Sequence, residues 1–173
     1  MSQQAGEINY NGLHSYLKNF FKIDFMGMHG LPHWARVCKN GLDLIELEEA
    51  LGHTPRTDVV YLFAYLHDHC RENDDEDYQH GAAAAANAVK LREQGYFEID
   101  DEGFELLCYA MTHHSHGQTE ADITVQICWD ADRLDLGRCD IVPDPKYLCT
   151  QSAKRQDVID AAYKRSTKGK EEK

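Results

Sequence analysis

The sequence predicts an all-α, single-domain bundle of about seven helices, and three observations predict it. Only four prolines, at 32, 55, 143 and 145, interrupt the 173 residues, so long segments run unbroken. Most of these segments repeat their apolar residues at spacings of three and four, the period of a helix with one buried face. The most apolar run, 58–67, has no neighbouring segment that reads as a partner strand. At this length the chain corresponds to about one typical domain, and 42% hydrophobic with 28% charged residues is the composition of a globular protein.

The first expected helix covers 11–22, where Leu13, Tyr16, Leu17, Phe20 and Phe21 recur on one side. A second covers 32–51: Pro32 suits a first turn, Trp34, Val37, Cys38, Leu42, Ile45 and Leu47 follow, and Gly52 ends it. Thr57 then caps 58–67, a run apolar on every side and therefore central; eight β-prone residues there leave a buried strand as the competing reading. Residues 71–77 are polar and charged, and read as a loop. An EF-hand is excluded there, since no register supplies both the glycine and the glutamate that its calcium loop needs. Five alanines, 82–86, mark a helix over 80–91 that Gly95 stops. Further helices are expected over 101–113, 120–136 and, after Pro143 and Pro145, 152–163. The domain thus spans 1–163, and 164–173, without an apolar residue, reads as a frayed polar tail.

Composition narrows the function classes. Thirty acidic against 18 basic residues give a net charge of −12, the opposite of what a nucleic-acid polymer attracts. The six cysteines, at 38, 70, 108, 128, 139 and 149, include no CxxC pair, so a thiolate metal site is not expected. Several lie in apolar stretches and read as free core residues in a reducing compartment. A polar N-terminus without a basic or apolar leader, and an apolar run ending far short of the ~18 residues that span a bilayer, point to a soluble cytoplasmic protein without a membrane partner.

Ten histidines carry the functional signal, because they gather at expected helix ends. His29 and His33 precede or open the second helix, His67 and His69 close the third, His80 opens the fourth, and His113, His114 and His116 close the fifth. Aspartates accompany them: Asp68 follows His67, and Asp130, Asp132 and Asp135 lie on the sixth helix. Antiparallel packing would bring these imidazoles and carboxylates to one end of the bundle, where helical proteins build metal sites. The dipeptide His67-Asp68 carries no weight alone, since this many histidines and aspartates produce about one such pair by chance. Its company does: His33-Trp-Ala-Arg-Val37 precedes it, and Asp130-Ala-Asp-Arg-Leu-Asp135 follows.

That ordered set resembles the HD-domain superfamily of metal-dependent phosphohydrolases, which are all-helical, over about residues 29–136. The strings His29-Gly-Leu-Pro-His-Trp34, His67-Asp-x-x-Arg71 and Cys128-Trp-Asp-Ala-Asp-Arg-Leu-Asp-Leu-Gly-Arg138 further resemble an uncharacterised bacterial subgroup. The resemblance implies an HD-domain-like fold with His33, His67, Asp68 and Asp132 as metal ligands. For the last ligand, helical periodicity favours Asp130, on the apolar face, whereas the family pattern favours Asp132. Nitrogen and oxygen donors without sulfur suit Mn²⁺, Fe²⁺, Co²⁺, Ni²⁺ or Zn²⁺, and a single ion is the expectation. His80 and His114 would hold a second ion or act on the leaving group. Arg36, Arg71 and Arg133 are the candidates for binding phosphate oxygens, against a salt bridge to the acidic loop for Arg71.

The expected function is hydrolysis of a small phosphorylated molecule, a nucleotide or nucleoside phosphate, by metal-activated water. Two alternatives stay open: a di-iron oxygenase of the same superfamily, and a nucleotide-binding sensor without catalysis.

Overall fold

The computed structural model describes residues 7–168 and residue 170. Among them are seven α-helices: α1 (Tyr10–Phe20), α2 (Leu31–Ala50), α3 (Thr57–Leu66), α4 (His80–Glu93), α5 (Asp101–His113), α6 (Ile123–Arg133) and α7 (Gln156–Thr167). Short 3-10 helices at Leu136–Cys139 and Pro145–Tyr147 connect α6 to α7. Extended backbone pairs in an isolated antiparallel bridge between Ile8 and Phe97, and no strand forms among the described residues. Among the described residues no helix is long and apolar enough to cross a membrane.

Local chemistry sets the helix boundaries. Asn9, Asp100 and Asp122 each accept a backbone N–H from the first turn of α1, α5 and α6, which satisfies a donor the helix leaves unpaired. The Asp122 cap places the start of α6 at Ile123, three residues later than the expected 120–136 segment. The last helix is shifted further. Thr150 Oγ1 accepts the N–H of Ala153 at 3.1 Å, and the turn so formed occupies the stretch where the helix was expected to begin. α7 consequently starts at Gln156 and continues to Thr167, taking in part of the predicted tail. Residues 169 and 171–173 of that tail lie outside the described residues.

At the centre is α3, with Val59, Val60, Leu62, Phe63, Ala64 and Leu66 all buried. It packs against α2, α5 and α6, so its apolar residues meet helices on several sides and the strand alternative is settled as helix. Trp34 and Trp129 are both fully buried in this core. Trp34 meets the rings of Phe21 and Phe25 edge-on at 5.0 and 5.7 Å, and Trp129 Nε1 donates to Ala110 O at 3.0 Å. All six cysteines are free, three of them buried, as their apolar settings lead one to expect.

The α4 and α5 helices approach closely at Gly81. A Cβ added there would lie 2.4 Å from Met111 O and 3.3 Å from His114 Nδ1. The obstructing atom is backbone, which cannot rotate aside, so Gly81→Ala should push α4 away from α5 and separate His80 from His114. Overpacking of this kind typically costs about 1–3 kcal/mol. The expected readout is a lower urea midpoint with an unchanged slope.

Candidate metal centre

Helix ends converge at one end of the bundle and carry the polar residues the core does not. The first turn of α2 delivers His33, and the bend that precedes it delivers His29. α3 ends at Leu66, so His67 and Asp68 occupy the turn that leaves the core. His80 opens α4, His114 caps α5, and Asp132 sits in the last turn of α6, with Asp135 just beyond. His29, His33, His67, Asp68, His80, His114 and Asp135 are all buried.

Four donors face one another. His33 Nε2 lies 3.1 Å from His67 Nε2, 3.2 Å from Asp132 Oδ1 and 3.5 Å from Asp68 Oδ2. His67 Nε2 lies 3.5 Å from Asp68 Oδ2 and 3.6 Å from Asp132 Oδ1. An ion bonded at about 2.0–2.2 Å holds neighbouring ligands at similar separations, about 3.0–3.5 Å. The other ring nitrogens fix the direction of the free lone pairs. His67 Nδ1 faces the carbonyls of Phe63 and Ala64 at 3.0 and 3.2 Å, and His33 Nδ1 faces Asp135 Oδ2 at 2.6 Å. Such partners keep the proton on Nδ1 and leave Nε2 to bind. His33 Nε2, His67 Nε2 and Asp132 Oδ1 thus crowd one small buried space, two nitrogen donors and an anionic oxygen within 3.1–3.6 Å of one another. These residues fit a divalent cation.

A second group shares Asp68. Its other oxygen, Oδ1, lies 3.1 Å from His80 Nε2 and 3.5 Å from His114 Nε2, which are 2.8 Å from each other. Here too Nδ1 is committed, to Asp77 O in His80 and to Met111 O at 2.6 Å in His114. His33, His67 and Asp68 make one set compact enough to hold an ion, and Asp68, His80 and His114 another. Burial opposes the charged forms of Asp68 and Asp132. The imidazoles outweigh it, His67, His114, His29 and His33 around Asp68 and His33 and His67 around Asp132, and hold both carboxyls well below the usual range.

The geometry separates the two rivals for the last ligand. Asp130 is fully buried as its helical face foretells, but its oxygens accept Cys149 N at 2.7 Å and both Thr150 N and Thr150 Oγ1 at 2.8 Å. It anchors the chain after α6, while Asp132 faces the histidines.

The three arginines of the sequence reading divide differently. Arg36 is engaged with Asp135, through Nε to Oδ1 at 2.7 Å and Nη2 to Oδ2 at 3.1 Å. Arg71 Nε lies 3.3 Å from Asp68 Oδ1. Arg133 is not brought to the donors: its guanidinium lies over the Trp129 ring and donates to Tyr147 O at 2.8 Å. Adjacent residues on a helix point about 100° apart, so facing Asp132 inward turns Arg133 away. Arg138 comes instead, because the 3-10 turn doubles the chain back: Nη2 lies 3.9 Å from Asp132 Oδ1, and Nε is buried without a partner.

Asp135 and Arg138 are the site residues that sequence reasoning did not assign. Asp135 had a signal, its spacing of three from Asp132; Arg138 had none without the turn. The remaining histidines stay outside both groups. His69 Nε2 pairs with Asn87 Nδ2 at 2.9 Å, and burial lowers its pKa to about 4; His113 and His116 pair with each other at 3.0 Å. A surface groove of about 860 Å³ beside α1, lined by Tyr16, Phe20 and Tyr96 among others, contains none of these donors. The centre meets solvent at Asp132 and Arg36, whose side chains are 15% and 24% exposed.

Comparison with models of known protein families finds no match, and neither does a search of curated proteins. Among solved structures, the chain is similar to a predicted HD superfamily hydrolase from an uncultured Thermotogales bacterium. The TM-score is 0.66 at 20% identity, over 95% of this chain and 91% of that one. The chain therefore has the HD-domain fold, and its buried His/Asp groups are compatible with an HD-type metal site.

Two outcomes follow from the geometry around His33. Burial and the Arg138 guanidinium favour its neutral form, but hydrogen bonds to Asp132, Asp135 and Asp68 prevail and raise its pKa from 6.5 to about 9. Metal-free protein therefore carries a proton on His33 at neutral pH, and an entering ion must displace it. Metal affinity should strengthen about tenfold per pH unit from neutrality to about 9 and then level off; titration with Mn²⁺ across this range checks it. A folded pKa above the unfolded value stabilises fully below about 6.5, and this contribution is lost as pH rises through about 9, so the metal-free melting temperature should fall over that window. Asp135→Asn weakens the orientation of His33 and should lower metal affinity about 10–100-fold with helical content unchanged, by chelator competition and circular dichroism.

Proposed function

We propose that the protein is a metal-dependent phosphohydrolase acting on a small phosphorylated molecule, with nucleotides and nucleoside phosphates as the substrate class. The observation that carries this reading is Asp68, which offers one oxygen to His33 and His67 and the other to His80 and His114. Where the sequence led to an expectation of a single ion, this sharing favours two. His33, His67, Asp68 and Asp132 would hold one, and Asp68, His80 and His114 the other. Divalent ions there supply Lewis acidity, polarising a phosphoryl oxygen and lowering the pKa of water from 15.7 to about 7.

The charge balance suits the substrate. Two divalent ions against Asp68 and Asp132 leave about two positive charges, which match a phosphate dianion despite a net charge of −12 on the whole chain. The remaining residues have work besides holding ions. Arg138, beside Asp132, has an unpartnered Nε and a planar fork that suits phosphate oxygens. Arg36 and Asp135 keep the His33 ring in place.

The same paired donor groups would also hold two irons, so the oxygenase reading retains one specific observation in its favour. Metal analysis and product analysis separate the two. Wild-type protein loaded with Mn²⁺ should release phosphate or pyrophosphate from a member of a nucleotide and nucleoside-phosphate panel, and Asp68→Ala should fall to background with its helical content intact. Turnover retained by Asp68→Ala would sink the reading. Silence across the panel, together with two irons per chain as isolated, would transfer it to the oxygenase.

A further inference from the structure

Asp68 has more polar neighbours than two histidine pairs. A carboxylate offers about four lone-pair positions, two on each oxygen. Oδ2 faces His33 and His67 on one side, and on another it lies 3.4 Å from His29 Nδ1. Oδ1 faces His80 and His114, and it also lies 3.3 Å from Arg71 Nε. Each oxygen thus has one direction toward a metal group and one toward a nitrogen that belongs to neither group.

Both of those nitrogens belong to side chains with a common anchor. His29 Nε2 faces Asp74 O at 3.3 Å, while Arg71 Nη1 donates to Asn73 O at 3.4 Å and Asp75 O at 3.1 Å. Three consecutive carbonyls of loop 71–77 therefore point inward, and the side chains of Asn73, Asp74 and Asp75 are exposed. The loop braces itself, with Glu72 N donating to Asp77 Oδ2 at 3.0 Å and Asp75 N to Asn73 Oδ1 at 2.9 Å. On the other flank, the bend before α2 is tight enough that a Cβ on Gly30 would lie 2.1 Å from Phe25 O, which fixes the position of His29. His29 is buried, and its Nδ1, without another polar partner, is aimed at Asp68 Oδ2.

We propose that His29 and Arg71 are positioning residues that hold Asp68 as a carboxylate shared between two ions, with the backbone of loop 73–75 as their common support. This rests on the two-ion reading above. Free of the clamp, the carboxylate can rotate and turn both oxygens toward one group. The first ion keeps His33, His67 and Asp132, to which His29 and Arg71 make no hydrogen bond or ion pair, His29 meeting the His33 ring only edge-on at 6.3 Å; the second loses its link and leaves.

The test uses Mn²⁺ alone as the probe, titrated into the metal-free full chain, with ions per chain and the exchange-coupled electron paramagnetic resonance signal as readouts. Wild type should take up two ions with a coupled signal. His29→Ala and Arg71→Ala should bind the first ion within about threefold of wild type and the second about 10–100-fold more weakly, without coupling. Side-chain geometry sharpens the test, because the amide nitrogen of asparagine occupies the place of Nδ1 and that of glutamine the place of Nε2. His29→Asn should therefore retain the second ion and the coupling, whereas His29→Gln should behave as His29→Ala; circular dichroism should be the same for all. Equal second-ion affinity in wild type, His29→Gln and Arg71→Ala would overturn the proposal, as would equal loss of both ions. Uptake of a single ion by wild type would overturn the two-ion reading first, and no turnover is needed to see it.

Discussion

Three carboxylates, Asp68 and Asp135 buried and Asp132 largely so, lie at one end of this bundle, and the structure is organised around compensating them. An ionised carboxylate moved into a protein interior is strongly destabilising unless it is paired and hydrogen-bonded. Here compensation comes from histidines and arginines on α2, α3, α4, α5 and the segment after α6, so every one of these elements has to end in the same small volume. The central helix makes that possible. Because α3 is buried on several faces, its C-terminal turn carries His67 and Asp68 out of the core in a fixed direction, and the other elements complete the shell around it.

How much of this was legible in the sequence depended on the distance over which the signal acts. Helices announced themselves through local periodicity, as in α1 and α2, and were displaced only where a side chain elsewhere dictated a boundary, as Thr150 does before α7. The ordered histidines and aspartates were legible because ligand chemistry restricts residue type. Roles that depend on tertiary direction were not. Asp130 and Asp132 differ by two positions, yet one accepts three hydrogen bonds from a distant turn and the other faces two imidazoles. Arg138, to which the sequence assigned no role, comes to the donors where Arg133 was expected, for the same reason, a reversal of the chain that composition does not encode.

The comparison with a solved structure at 20% identity has a parallel explanation. Cores accept many apolar substitutions that keep volume and pattern. Donors cannot drift in this way, because each imidazole needs a partner for its second nitrogen, as Phe63, Met111 and Asp77 provide with backbone carbonyls. Those partners are main-chain atoms. Any residue at these positions supplies the same acceptor, so the orientation of the His67, His80 and His114 rings depends on the helix ends more than on the identity of the residues there, whereas His33 relies on the Asp135 side chain.

The donors also come from segments spread between His33 and Asp132, so none of the groups exists until the bundle has closed. An ion captured there meets a complete set of ligands only in the finished structure, and interactions absent from the transition state for folding act on the return journey. Metal would then leave the rate of folding nearly unchanged and slow escape from the native state. A bound cation would act as a kinetic latch on a chain whose helices have already found their places.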